Sequence, residues 1–286
     1  MGLSIQRKNT IVVSLSDMHS GGSTALFPPY FMQFKHGNHT PTDFQKMLFK
    51  HYEKSISAVK EARKGKRLIV VHNGDAIDGV HHSSLEIVTK LKTEQIQIHI
   101  ELMDMLLKEA GFNKKRGDRL YYTVGTECHT NDNEDIIGKD LGAEMNGDLY
   151  AFDNLKLSLN DREIWFTHHG TSAGKGANKG NAQRNWLKNV FFDSLEEHIY
   201  PPDMIVSSHT YVANYGSYIG RIKDRWHTLR GIITPSWQMK TRFARRVAAL
   251  SKNEVGLWYF EITDKGDLLD PVPCLKDTAT KDPIML

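Results

Sequence analysis

The chain has 286 residues, 40% of them hydrophobic and 25% charged, with a formal net charge of +3. That is length for one large domain or two small ones with a real core, and the charge is too small to argue for a nucleic-acid partner on electrostatics alone. Two cysteines, Cys128 and Cys274, exclude a disulfide framework. No apolar run approaches the roughly 20 residues of a membrane helix, and no apolar core follows Arg7 and Lys8 to make a signal peptide, so the expectation is a cytoplasmic protein with no membrane partner.

In chain order, Ile11-Val12-Val13-Ser14-Leu15 predicts a buried strand, which runs out into Ser16-Asp17-Met18-His19. A long polar and aromatic loop then spans about 21–41, and it predicts a functional or mobile segment. Thr42-Asp43 offers an N-cap, and Phe44, Met47, Leu48, Tyr52, Ile56 and Val59 predict a helix to about Arg63. Arg67 to His72 predicts a second strand, followed by Asn73-Gly74-Asp75. Apolar spacing from about Ser84 to Ala110 predicts a long helix, with Asp78, His81 and His82 just before it.

Leu120 to Val124 predicts a third strand, running into Gly125-Thr126-Glu127-Cys128-His129. After a short helix to Leu141, the pair Leu149–Phe152 and Leu155–Leu159 reads as a hairpin around Asp153-Asn154. Glu163 to Thr167 predicts a strand ending in His168-His169-Gly170. A Gly- and Lys-rich loop, 170–180, lacks the pattern of a phosphate-binding P-loop and precedes a helix over 182–199. Met204 to Ser207 is the next strand and ends at Ser208-His209-Thr210-Tyr211. Antiparallel strands are expected beyond it, then a basic stretch over 240–250 and a tail over 271–286, with residues 1–270 as a single domain.

Five of these strands end in polar clusters: Asp17 and His19, Asp75, Glu127 and His129, His168 and His169, and His209. Singly, each histidine reads as readily as a core or surface residue, and each aspartate as a turn or cap residue. Together they change the reading. In an open α/β sheet, sites form off the carboxyl ends of the strands. Mixed Asp and His donors suit borderline divalent metals, and there are more of them than one tetrahedral ion needs.

The order Asp17-Met18-His19, Gly74-Asp75, Gly125 to His129, His168-His169-Gly170 and Ser208-His209-Thr210-Tyr211 resembles that of the calcineurin-like metallophosphoesterases. The match runs over about residues 11–211, and the segment Thr234 to Arg242 resembles bacteriophage and prophage members, for which the location would be the host cytoplasm. The resemblance implies an α/β fold with a two-sheet β-sandwich flanked by helices in four layers. It also implies two divalent metal ions, manganese foremost, with iron, zinc, cobalt or nickel as alternatives. Asp17 and His19 would hold the first metal and Asp75 would bridge both. His168 or His169, with His209, would hold the second, and His129 would stand near the leaving group.

Two departures from the family pattern follow. Glu127 or Thr126 would replace an asparagine ligand, and Tyr211 stands where a last histidine is expected. Tyr211, Lys175 and His82 are candidate substrate contacts. The implied activity is hydrolysis of a phosphate ester, with a lean to a phosphodiester in a nucleic acid or nucleotide. The alternative is a degenerate relative serving as a binding or structural module with one metal or none. Oligomeric state is not legible.

Overall fold

Val12 and Val13 are neighbours in the first strand, and both are fully buried. Successive side chains of a strand point to opposite faces, so this strand is covered on both. The computed structural model describes residues 7–80, 86–127, 132–174, 176–241 and 252–278. Its strands in chain order are β1 (Thr10–Leu15), β2 (Met32–Phe34), β3 (Gly37–His39), β4 (Arg67–Asn73), β5 (Arg119–Thr123), β6 (Ala151–Phe152), β7 (Asn154–Leu159), β8 (Arg162–Thr167), β9 (Met204–Thr210), β10 (Asn214–Ile222), β11 (Arg225–Pro235), β12 (Glu254–Ile262) and β13 (Val272–Asp277). The helices are α1 (Asp43–Ala62), α2 (Lys92–Glu109), α3 (Asn133–Leu141) and α4 (Asn181–Glu196).

The strands form three sheets. The first has the order β13-β12-β1-β4-β5-β6, the second β10-β11-β9-β8-β7, and β2 pairs with β3 alone. In the first sheet β1, β4, β5 and β6 are parallel, and β12 runs antiparallel between β1 and β13. In the second, β8, β9 and β11 are parallel.

Three apolar layers organise these parts. Ile11, Val13, Leu15, Leu68 and Val70 cluster with Leu48, Tyr52 and Val59 of α1 and with Ile98, Leu102 and Leu106 of α2. The alternate residues Val12, Ile69 and Val71 cluster with Ile164, Phe166, Val206 and Ile232 of the second sheet. Ile205 and Leu229 turn the other way, onto Leu187 and Phe191 of α4. Parallel strands buried on both faces read as unbroken apolar runs, which is why β1 and β4 stand out in the sequence. Thr42 caps α1 in a full capping box with Gln45. No helix among the described residues is long and apolar enough to cross a membrane.

Four expectations are corrected. The long helix begins at Lys92, not Ser84. Residues 86–88 are bonded elsewhere, with Ser23 N donating to Glu86 O (3.0 Å) and Val88 N to Gly21 O (2.7 Å). The loop over 21–41 contains the β2–β3 hairpin. Leu149–Leu159 is not a hairpin, because β6 pairs with β5 and β7 pairs with β8. The chain passes from the first sheet to the second there, since the buried side of β7 (Leu155, Leu157, Leu159) belongs to the layer between the sheets. The expected tail supplies β13, paired along β12; residues 279–286 lie outside the described residues.

Candidate metal centre

The site lies where the parallel strands of the two sheets end. Beyond β1 and β4 the chain continues as two zipped segments. Asp17 N donates to Gly74 O (2.9 Å), His19 N to Asp75 O (3.1 Å) and Ser20 N to Ala76 O (3.0 Å). Asp17, His19 and Asp75 have φ of 49°, 43° and 54°, and His209, at the end of β9, has 61°. Left-handed backbone at a non-glycine residue costs about 1–3 kcal/mol and persists only where the surroundings enforce it. Four such residues converge here, so the backbone is bent to aim these side chains.

One atom is common to the whole cluster. Asp75 Oδ2 lies 3.8 Å from His19 Nε2, 3.2 Å from His168 Nε2 and 3.6 Å from His209 Nδ1. His19 Nε2 is also 4.0 Å from Asp17 Oδ1. The other Asp75 oxygen accepts the backbone N–H of Thr126 at 2.6 Å, and the Thr126 hydroxyl stands 3.3 Å from Oδ2. Asp17 Oδ2 accepts the N–H of His209 (3.2 Å).

A supporting shell fixes these donors. His168 Nδ1 bonds Asn73 O (2.8 Å), which turns Nε2 inward. The Asn73 amide reaches Thr167 O (2.9 Å) and Ser208 Oγ (2.6 Å) and accepts from Thr123 Oγ1 (2.8 Å), tying β4 and β5 to β8 and β9. Asp78 Oδ1 lies 3.4 Å from His19 Nδ1 and accepts from Gln238 Nε2 (3.1 Å). Ser236 Oγ and Trp237 N both donate to Asp17 O. The segment after β11 thus clamps the opening motif. Gly74 and Gly125 leave room for it: a Cβ on Gly74 would meet the His168 ring at 2.3 Å.

Asp17 and Asp75 are 2% and 0% exposed. Among the described residues their ion-pair partners are all histidines. Burial raises the Asp75 carboxyl, but hydrogen bonds from His168 and His209 outweigh it and hold the group well below the usual carboxylate range. Burial likewise lowers His168, yet Asp75 and Asp17 push it up to about 9. Burial also raises Asp17, and the charge of Asp75 adds to this. Without a metal, protonated His168 supplies the charge that these buried carboxylates need; a bound cation would take over that part. Carboxylate oxygen and imidazole nitrogen are the donors of a borderline divalent metal. The residues fit such an ion.

Of the expected ligands, Asp17, His19, Asp75, His168 and His209 come together. His168 is the buried member of its pair. His169 is exposed, with its ring 4.6 Å from that of His209, and forms a second possible donor set with His168 and His209 at the rim. Glu127 is exposed and belongs to neither donor set. Its loop presents Thr126 instead, so the expected Glu127 ligand is corrected to that neighbour's position. Tyr211 is half-buried, and burial, then the charges of Asp17, Asp78 and Asp75, raise its phenol, which stays a protonated donor. His82, His129 and Lys175 lie outside the described residues, as do His81 and 242–250 of the basic stretch. Lys179 is 4.0 Å from Glu254. Asp78, well before the observed start of the long helix, is a partner of His19.

Glu134, on α3, was not expected at the site. Its Oε1 accepts from Ala76 N (3.1 Å), one residue past Asp75. Burial, with the charge of Asp75 adding to it, pushes its carboxyl up to about 8. A raised folded value stabilises the fold fully below the ordinary value of 4.5 and is lost as pH rises through about 8. In metal-free protein, Glu134→Gln should remove a fall on the order of a few kcal/mol across that window. Urea midpoints against pH would read this, and parallel curves for the two proteins would contradict it.

No protein-family model and no curated protein matches the sequence. Among solved structures, the chain is similar to the solution NMR structure of the Thermotoga maritima protein TM1076, at 12% identity, covering 94% of this chain and 99% of that one, with a TM-score of 0.34. A likeness of that size carries no argument about the site, whose chemistry rests on its own residues.

Proposed function

We propose that the chain is a dinuclear metal-dependent phosphoesterase of the calcineurin-like kind, with the two larger sheets and their flanking helices as its four layers. One observation carries the reading. Asp17, Asp75, His168 and His209 offer donor atoms that all lie within 4.8 Å of one another, and Asp75 Oδ2 also stands 3.8 Å from His19 Nε2. With His169 at the rim, that is more donors than one tetrahedral ion takes, and the buried Asp75 carboxylate at their middle is placed to serve a pair.

Bound divalent ions, manganese foremost, would supply Lewis acidity to the phosphoryl oxygens and acidify the attacking water. The chain's own residues divide the remaining work. Asp75 and His168, buried and braced by Thr126 and Asn73, fix the geometry. The His209 side chain is 47% exposed, and with exposed His169 it faces the solvent from which a phosphate ester arrives. Tyr211 offers a phenol donor to a substrate oxygen. His129 takes the part of proton donor to the leaving oxygen, on the resemblance alone. The substrate class is a phosphate ester, with a lean to a phosphodiester of a nucleic acid or nucleotide.

The test is hydrolysis of bis(p-nitrophenyl) phosphate by the purified chain with added manganese, iron, zinc, cobalt or nickel. Metal-dependent turnover that a chelator abolishes is expected. Absence of hydrolysis and of bound metal under every condition would favour a binding module instead.

A further inference from the structure

The hairpin of β10 and β11 is packed on one face. Tyr218, Gly220 and Leu229 lie against Leu187 and Phe191 of α4. The alternate residues form the other face. It carries Tyr215, Ile219 and Arg221 of β10, with Trp226 paired to Arg221 and Arg230 paired to Ser217. β10 is the last strand of its sheet, and Tyr215, Ile219 and Trp226 are 37%, 58% and 73% exposed. Exposed rings grouped on one patch mark an interaction surface. The patch is also basic. Residues 214–235 hold four cations, Arg221, Lys223, Arg225 and Arg230, against one acid, Asp224. Arg221, and Lys223 and Arg225 at the tip, are exposed and enter no ion pair among the described residues.

We propose that this face binds a single strand of nucleic acid, DNA or RNA alike, with bases stacked on Tyr215 and Trp226 and phosphates against Arg221 and Arg230, and leads it to the metal centre. The last step rests on the proposed phosphoesterase function; the binding does not. Unpaired bases offer a ring face to any aromatic side chain, and phosphates offer the charge that arginine takes. Such contacts go to base and phosphate, so the sugar is not read. Tyr215 and Trp226 stand six strand positions apart along the hairpin, roughly 20 Å and room for several nucleotides. Beside Trp226 opens a cavity of about 320 Å³, lined also by Thr228, Arg230 and Arg162, which is large enough for one base. Its carboxylates, Asp203 and Asp267, are already bonded to Arg162 and Thr263. At the other end of the hairpin, Pro235 pairs with Thr210, the residue after His209, and the next residues, Ser236 and Trp237, bond Asp17 O. The face thus starts beside the metal ligands and runs to the hairpin tip. A duplex suits it less, because its bases are stacked on each other. A second copy of the chain suits it less too, because a two-fold contact sets these cations against their own copies.

The test is binding of fluorescein-labelled oligothymidylate and oligouridylate of about twelve nucleotides to the full chain, with a chelator present so that no hydrolysis intervenes. Both should bind, a duplex of the same length should bind more weakly, and affinity should fall as salt rises. Trp226→Ala should weaken binding about tenfold through the loss of one stacked base, with Trp226→Phe close to wild type. Arg221→Ala should weaken it and flatten the salt dependence. Wild-type affinity in both Trp226→Ala and Arg221→Ala overturns the inference, and so does tighter binding of the duplex. Polyglutamate bound as tightly as the oligonucleotides, the mark of an acidic protein's site, overturns it as well. A concentration-dependent dimer that Trp226→Ala dissolves does the same in favour of a second copy. Hydrolysis of bis(p-nitrophenyl) phosphate by a chain that binds no oligonucleotide overturns the inference and leaves the phosphoesterase reading standing. Oligonucleotide binding by a chain that hydrolyses no ester with any metal supports the face and removes that reading, and the path to the metals with it.

Discussion

Asp75→Asn should lower hydrolysis by about a thousandfold or more. Charge stabilisation of a phosphoryl transition state by bound ions is worth several kcal/mol, and each 1.4 kcal/mol is about tenfold. The substitution keeps the size of the side chain and removes the charge that His19, His168 and His209 share. The donors around Asp75 lose their shared charged oxygen at once, so the cluster should retain no ion. The metal-free protein should change little in stability, because two effects oppose. The hydrogen bonds that hold Asp75 ionised are weakened, while the repulsion that helps raise Asp17 is relieved. The readout is paired: hydrolysis, and the rise in melting temperature on adding metal. Asp75→Asn should show neither. A variant that still gains stability from two metal equivalents would contradict the bridging role.

Gly125→Ala should be nearly as damaging, for reasons of space alone. A Cβ there would lie 2.2 Å from Asp75 N and 2.3 Å from Asp75 Oδ1. Both atoms belong to Asp75, whose backbone is already bent to a φ of 54°. Neither can give way without breaking the bond from Thr126 N to Oδ1. Gly74 offers no slack, since its own Cβ would be 2.8 Å from Gly125 Cα. Overpacking of this kind costs about 1–3 kcal/mol of stability. A displacement near 1 Å at a reacting centre costs about a hundredfold in rate. The expected protein folds, binds metal weakly and turns over at least about a hundredfold more slowly. Activity within about threefold of wild type would show that the Asp75 loop has freedom the packing denies.

The parts of the fold legible in the sequence are those where one local pattern meets one environment. The runs over β1, β4 and β9 are mostly apolar because alternate residues enter different apolar layers. The capping box of α1 is complete within four residues. The parts that were not legible depend on distant chain. Residues 86–88 cannot extend α2, because residues 21–23 hold their backbone. Nothing within Leu149–Leu159 says that β6 and β7 belong to different sheets. The choice lies with β5 and β8, which pair with them.

The candidate site divides the same way. Asp17, His19, Asp75, His168 and His209 are visible because each follows an apolar run. Asp78 and Gln238 meet across 160 positions, and neither residue type announces a role beside His19. Asn73, directly before Gly74-Asp75, ties four strands through one amide, and its residue type alone does not announce that. In the Gly125 loop the more ligand-like residue, Glu127, faces solvent, and the plain hydroxyl of Thr126 faces the cluster. Residue type favours Glu127, and only the path of the backbone from Gly125 decides otherwise.

The central claim is that one carboxylate, Asp75, serves two metal ions. Metal analysis of the purified chain after loading and removal of free ion tests it most directly. Two divalent equivalents per chain in the wild type, with none retained in Asp75→Asn, is the result predicted. One equivalent or fewer in the wild type, or two retained without the Asp75 carboxylate, would contradict it.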